Sequence, residues 1–212
     1  MKKANLSQVI RPEEVLANND EIMGKLISFF GYSELFDEEI ELFDGLMKSI
    51  ISQQLSNKAS NTIIARIIKI HGVRPFYPEK ILAMEDIKLR ECGISYSKIK
   101  SIKGFAEACV RDEISIKLLS TMPDEEVLSK LTSYWGIGKW TAEIFMMFGL
   151  KRLNILAGND AGLIRAHKLL YPGTSSIEVT SKKWEPYKAV AAWYLWKYLD
   201  SEKQDAFNNS LL

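Results

Sequence analysis

The chain has 212 residues, which is enough for one large domain or two small lobes with a buried core. Apolar residues make up 47% of it and charged residues 26%, and no apolar run approaches the roughly 20 residues that span a bilayer, so we expect no membrane segment. The formal net charge of +1 rules out a generally basic protein, so any contact with nucleic acid has to be local.

Cysteine and histidine usage argues against several kinds of site. Cys92 and Cys109 are too few for a disulfide framework or a four-iron cluster, and no Cys/His group has the spacing of zinc ligands. The first residues contain two lysines without an apolar stretch behind them, so a signal peptide is not expected. The sequence therefore predicts a protein of the reducing cytoplasm with no metal or redox cofactor.

Apolar residues recur at helical spacing along nearly the whole chain, without convincing period-2 alternation. Pro12 suits a first helical turn, Gly31 suits a helix end, and Ser56–Asn57 is a capping pair that divides one long segment in two. The segments predicted to be helical are 12–31, 41–56, 57–72, two short turns at 78–84 and 85–93, and then 95–112, 123–135, 139–150, 161–170 and 185–199. The sequence thus predicts an all-α fold.

Two glycines interrupt this pattern in the stretch YWGIGKWTAEIF, residues 134–145. Gly136 and Gly138 permit positive φ or close approach, as a short reversal between helices demands. The helix that begins at Lys139 would present its first amides and its positive dipole end in front of the loop, and Lys139 adds a charge. This arrangement suits a DNA phosphate, which carries no base identity. Taken alone, however, the pattern is more typical of a plain turn backed by a core tryptophan.

Four segments occur together in an order that is typical of a known family. LTSYWGIGKWTAEIFMMFGL followed by NILAGNDAGLIRA resembles the helix–hairpin–helix DNA glycosylase superfamily, whose glycine-rich loop is followed by an essential aspartate. IISQQLSNKAS resembles its duplex-inserting segment, while LRECGISYSKIKSIKGFAEA and WEPYKAVAAWYLW resemble segments of its alkyladenine branch. The match spans residues 45 to about 198. It is closest to 3-methyladenine DNA glycosylase II enzymes of the compact, wholly helical kind that lack an N-terminal β lobe.

The resemblance implies an architecture. It is a two-lobed helical bundle with a helix–hairpin–helix motif and a DNA-facing cleft. Residues of about 35–135 would form a middle bundle. Residues 1–34 with 136–212 would form a second lobe that carries the hairpin-following helix and the catalytic aspartate.

The resemblance also implies an activity and its partners. The chain would be a monofunctional glycosylase that flips an alkylated purine such as 3-methyladenine out of the duplex, hydrolyses its N-glycosidic bond and leaves an abasic site. Its partner would be damaged double-stranded DNA. The protein would be a monomer that needs no protein partner and binds no membrane. No cofactor is implied beyond room for a monovalent cation at the hairpin. We expect a location at the nucleoid in the cytoplasm, or in the nucleus of a eukaryote.

Asp160 matches the essential aspartate of this superfamily. A single fixed carboxylate beside C1′ can stabilise the oxocarbenium character that develops on the sugar. A second acid is dispensable because an alkylated purine is already cationic and leaves readily. The ordinary alternative is that Asp160 caps the helix that follows it, and the two roles are compatible.

Aromatic residues are the candidates for the base pocket. Strand-cleaving relatives carry a lysine nucleophile at the second position after the second glycine, where this chain has Trp140, so no lyase activity is expected. By resemblance, Trp140 and Trp196 would hold the base, with Tyr187 a weaker candidate. A cationic base on an indole face gains ~0.5–2 kcal/mol. The alternative for each is packing in the core.

An enzyme that extrudes a base must also fill the space left behind. By resemblance, Gln54 is the plug and Leu55 the apolar wedge, although a residue at a helix end can equally face solvent. The lysines at 98, 100 and 103 are more typical of a solvated face than of a DNA contact. Three other functions stay open: the same chemistry on uracil, hypoxanthine or an oxidised base, a non-catalytic hairpin protein that binds DNA, and a helical protein-interaction domain.

Overall fold

The computed structural model describes residues 11–35, 40–72, 74–174 and 176–209, and within these ranges it contains helices and no strand. The prediction of an all-α fold is therefore confirmed. None of the described helices combines the length and apolar character needed to cross a bilayer. The α-helices are α1 Pro12–Asn19, α2 Glu21–Phe30, α3 Leu42–Ser52, α4 Asn57–His71, α5 Pro78–Ala83, α6 Asp86–Glu91, α7 Tyr96–Val110, α8 Asp124–Thr132, α9 Lys139–Phe148, α10 Ala161–Leu170, α11 Ile177–Thr180, α12 Lys188–Asp200 and α13 Gln204–Asn209.

The chain folds into two compact units. Of the described residues, those within 38–152 form the middle unit, and those within 1–37 and 153–212 form the terminal unit. The predicted division differs, because it placed the hairpin-following helix, now α9, in the second lobe. In the structure α9 belongs to the middle unit, where it packs against α3 and α8. Gly45 of α3 makes this contact close: a β-carbon there would lie 3.6 Å from Cα of Gly149, at the end of α9.

The segment 12–31 was predicted as one helix and is two. Asp20 interrupts it with an extended backbone and caps α2 by accepting a hydrogen bond from the Met23 amide, 3.1 Å away. The buried Asp20 carboxylate also accepts hydrogen bonds from the Tyr171 hydroxyl and the Trp184 indole N–H. A buried carboxylate is tolerated when it is fully hydrogen-bonded, so this network fixes the break and ties the N-terminal helices to the rest of the terminal unit.

Helix α12 forms the centre of the terminal unit. It packs against α1, α2 and α10. Small and aromatic residues are interleaved along it, so that several neighbours can approach one helix closely, and buried residues occur on most of its circumference. They are Ala189, Val190, Ala191, Ala192, Tyr194, Leu195 and Tyr198. This burial holds α10 and the residues around its N-terminus in a fixed place.

Candidate functional site

The glycine hairpin lies between α8 and α9, and Gly136 makes the turn. Gly136 has φ of +80°, and a β-carbon there would lie 2.7 Å from Cβ of Ser101. Both features demand glycine. Ile137 is buried beneath the turn, and its amide donates to the Tyr134 carbonyl at 3.1 Å. The backbone of the hairpin is thus fixed from the protein side.

Gly138 is a glycine for a different reason. Its φ of −85° and ψ of 173° are open to any residue, and a β-carbon there would meet nothing within 4 Å. Neither conformation nor internal packing requires glycine at this position. The absent side chain leaves the N-terminus of α9 open to a ligand, and Gly138 offers no capping side chain of its own. A helix start of this kind suits an anion.

Lys139 supplies a positive charge at the same end of α9. Its Nζ lies 3.7 Å from Oε1 of Glu143, one turn further along the helix. Glu143 is buried, and burial raises the pKa of its carboxyl group, while the nearby Lys139 ammonium opposes the shift. The exposed Lys139 ammonium is thereby held near the first turn of α9.

A glutamine side chain joins the hairpin to the loop after α3. Nε2 of Gln53 donates to the Gly136 carbonyl at 2.9 Å and to Oγ1 of Thr141 at 2.8 Å. The sequence does not predict this contact, and the resemblance points only to the neighbouring Gln54, as the plug. Nothing in the sequence separates the two adjacent glutamines, because only the fold decides which one faces the hairpin.

The backbone around the predicted wedge is held in an unusual conformation. Gln54 has φ of +56°, which is rare for a residue other than glycine. Gln54 is exposed, and Leu55 keeps 39% of its surface exposed. The loop therefore presents a polar and an apolar side chain side by side to solvent, as the plug and wedge hypothesis requires. Their roles stay predictions.

The prediction that three lysines form a solvated face is wrong for two of them. Nζ of Lys98 donates to the carbonyls of Ile51 and Gln53, both at 2.7 Å, and burial lowers its pKa. It therefore closes the C-terminus of α3, where carbonyls lack helical partners. Nζ of Lys103 donates to the Met84 carbonyl at 2.6 Å.

We expect Gln53→Ala to lower the free energy of unfolding by about 1–2 kcal/mol, because two acceptors lose their donor. Urea denaturation measures this directly. Gln54→Ala is the matched control, since its side chain is exposed and its removal should change stability by less than about 0.5 kcal/mol. Equal destabilisation by both variants would contradict the assignment of Gln53 as the link.

Asp160 lies in the terminal unit, where it caps α10. Its Oδ1 accepts hydrogen bonds from the Leu163 amide at 2.8 Å and from Nε1 of Trp196 at 3.0 Å. A β-carbon on Gly162 would lie 3.0 Å from Oδ1 of Asp160 and 3.3 Å from Nε1 of Trp196, so this glycine leaves room for the pair. The structure thus shows the capping role, and it fixes a half-buried carboxylate in one orientation.

The three aromatic candidates for the base pocket are all half-buried. Trp196 projects from α12 and binds Asp160 through the edge of its ring, while Tyr187 precedes α12 and its amide donates to the Trp184 carbonyl at 2.6 Å. Trp140 is the second residue of α9 and belongs to the middle unit. Trp184 is fully buried, whereas each of the three candidates keeps part of its surface exposed and is therefore not a simple core residue. The structure brings together Asp160 and Trp196.

Comparison with known proteins identifies the family. The profile of the HhH-GPD superfamily of base excision DNA repair proteins matches residues 47–188. The chain belongs to this superfamily. It is 31% identical to DNA-3-methyladenine glycosylase 1 of Schizosaccharomyces pombe, over 92% of this chain and 90% of that protein.

Solved structures agree with this assignment. The S. pombe 3-methyladenine DNA glycosylase Mag1 in complex with abasic DNA superposes with a TM-score of 0.81 at 30% identity, over 91% of this chain and 98% of Mag1. A DNA-3-methyladenine glycosidase of Bacillus halodurans has a TM-score of 0.73 at 32% identity, over 93% of each chain. The predicted resemblance to compact, helical 3-methyladenine glycosylases is confirmed.

Proposed function

We propose that this chain is a DNA glycosylase that removes alkylated purines such as 3-methyladenine and leaves an abasic site for base excision repair. The observation that carries the proposal is the carboxylate of Asp160, fixed at the start of α10 by the Leu163 amide and the Trp196 indole. The two relatives with solved structures, of which this chain covers more than nine tenths, are named for activity on 3-methyladenine.

The chemistry requires stabilisation of positive charge. As the N-glycosidic bond lengthens, the sugar gains oxocarbenium character, and the alkylated base leaves as a neutral molecule. The Leu163 amide and the Trp196 indole hold the Asp160 carboxylate, so it can face the developing charge without reorganisation, which is the main requirement of electrostatic catalysis. Water then adds to C1′ and loses a proton to solvent, which yields the neutral abasic sugar.

Recognition of DNA divides between the backbone and the base. The open N-terminus of α9, with Gly136, Gly138 and Lys139, would bind a phosphate without regard to sequence. Gln54 and Leu55 would occupy the space of the extruded base. The half-buried rings of Trp140, Trp196 and Tyr187 would favour a cationic base over a neutral one. These three roles follow from the resemblance.

The decisive experiment supplies methylated genomic DNA to the purified protein and identifies the released bases by mass spectrometry. We expect 3-methyladenine among the products, with release stopped by heat denaturation of the protein. Duplexes that carry uracil, hypoxanthine or an oxidised base are tested in parallel, and release of one of these bases alone would keep the chemistry and change the substrate. An absence of any free base from every damaged DNA would overturn the proposal.

The same reaction tests whether the enzyme also cuts the strand. Trp140 occupies the position of the lyase lysine, and Lys139 lies one residue earlier. We expect a labelled product strand to stay intact until alkali cleaves it at the abasic site. Borohydride reduction should trap no covalent adduct, and a trapped adduct would contradict monofunctional action.

A further inference from the structure

Trp135 is an exposed tryptophan directly before the first hairpin glycine. It keeps 55% of its surface exposed, unlike the buried Trp184 and the half-buried Trp140 and Trp196. Nζ of Lys100, on α7, lies 4.6 Å from the centre of its ring. Together they form an aromatic and cationic surface that continues into the hairpin, called here the Trp135–Lys100 platform.

The fold itself has little need of the platform. The neighbouring Tyr134 anchors this part of the chain through an edge contact with Phe105, with ring centres 5.0 Å apart, and Ile137 is buried beneath the turn. An indole left largely in water forgoes the stabilisation that burial would give. A large aromatic side chain exposed beside a candidate ligand site is typical of a binding surface.

Trp135 and Lys100 line a surface depression with a volume of about 710 Å³, and Lys100 differs from the other cations around it. Lys103 donates a hydrogen bond to a carbonyl and forms an ion pair with Asp86, and the Arg111 guanidinium lies within 4 Å of two glutamate carboxylates. Within the described residues, Lys100 forms no ion pair, and its one described contact is the face of Trp135. Its ammonium is therefore available to an anion without leaving the ring.

We propose that the Trp135–Lys100 platform is a second DNA contact, beside the hairpin phosphate site and on the same strand. Lys100 binds a phosphate, and the indole packs against the sugar or base of the adjoining nucleotide. The proposal rests on the proposed function, because it assumes a DNA ligand. It adds a site that the resemblance does not supply.

Geometry and chemistry favour DNA over a protein partner. Gly138 follows Trp135 by three positions in the chain. Three steps of backbone span at most about 10 Å, which corresponds to the rise of roughly three nucleotides of one strand along the helix axis. A strand held at the start of α9 therefore passes within reach of the platform. Aromatic rings beside cations are the usual surface for nucleotides, because every base has a face to stack and every nucleotide a phosphate. An acidic peptide is the rival ligand, and it predicts no effect on DNA binding.

The test measures affinity for an abasic-site duplex and for an undamaged duplex by fluorescence anisotropy, across a series of salt concentrations. We expect Lys100→Met to reduce the slope of log K against log salt by about 0.9, the signature of one lost phosphate contact. We expect Trp135→Ala to weaken binding about five- to tenfold at every salt concentration with the slope unchanged. Trp135→Phe, which keeps a ring, should retain most of the affinity.

Tyr32→Ala is the matched control. Tyr32 is 52% exposed and has Arg11 at 4.0 Å over its ring, so it reproduces an exposed aromatic and cationic pair in the terminal unit. Its affinity and salt slope should equal those of the wild type. Urea denaturation of each variant confirms that the fold is retained.

The outcomes separate this proposal from the proposed function. If the wild type binds DNA and releases methylated base while Trp135→Ala and Lys100→Met bind like the wild type, the platform is not a DNA contact and the function stands. If the wild type binds no DNA, both proposals fall. A loss of affinity in Tyr32→Ala equal to that in Trp135→Ala would also overturn the platform, because the effect would not be local.

Discussion

Asp160→Asn is expected to bind lesion-bearing duplex with wild-type affinity and to release methylated purine at least about a hundredfold more slowly. The variant removes the negative charge of residue 160 and keeps its hydrogen bonds. Asparagine caps helices as well as aspartate does, and its carbonyl oxygen can still accept from the Leu163 amide and the Trp196 indole. What disappears is the negative charge that would face the sugar cation.

Single-turnover kinetics with excess enzyme measures the chemical step of this variant, and anisotropy measures its binding. The matched control is Trp196→Phe, which removes the indole N–H bonded to Asp160 and keeps an aromatic ring. We expect it to slow release about tenfold, since the carboxylate keeps its charge and loses the indole donor. Wild-type release by Asp160→Asn would show that another group stabilises the sugar, and the proposed mechanism would be wrong.

The sequence predicted the features that local chemistry controls. The break between α3 and α4 follows from Ser56, whose side chain accepts from the Ala59 amide at 3.3 Å. The start of α10 follows from Asp160 in the same way. Helix caps act within one turn, so a pattern of a few residues contains the whole interaction.

The features that were missed depend on partners far away in the chain. Asp20 divides the first predicted helix because Tyr171 and Trp184 approach it from more than a hundred residues away. Gln53 reaches Gly136 across 83 residues, and Lys98 reaches the Ile51 carbonyl at the end of α3 across 47 residues. Helix α9 belongs to the middle unit, and not to the predicted second lobe, because it packs against the distant helix α3. A local sequence pattern does not show which distant side chain will contact a given residue.

The two hairpin glycines allow fold and binding to be separated. Gly136→Ala should lower the free energy of unfolding by roughly 1–3 kcal/mol, because alanine is disfavoured at φ of +80° and its β-carbon would lie 2.7 Å from Ser101. Gly138→Ala should leave stability unchanged within about 0.5 kcal/mol, since its backbone is extended and its surroundings are open. Urea denaturation distinguishes the two variants.

DNA affinity should respond to Gly138→Ala, although stability does not. The methyl group of Gly138→Ala would project in front of the first amides of α9, where the phosphate is proposed to lie, so we expect affinity for DNA to fall about tenfold, or ~1.4 kcal/mol. The loss should be equal for damaged and undamaged duplexes, because a phosphate carries no base identity. A loss confined to damaged DNA would place Gly138 near the lesion instead. Unchanged affinity for both duplexes would mean that this helix start does not bind the backbone, since the folded variant differs there by a single methyl group.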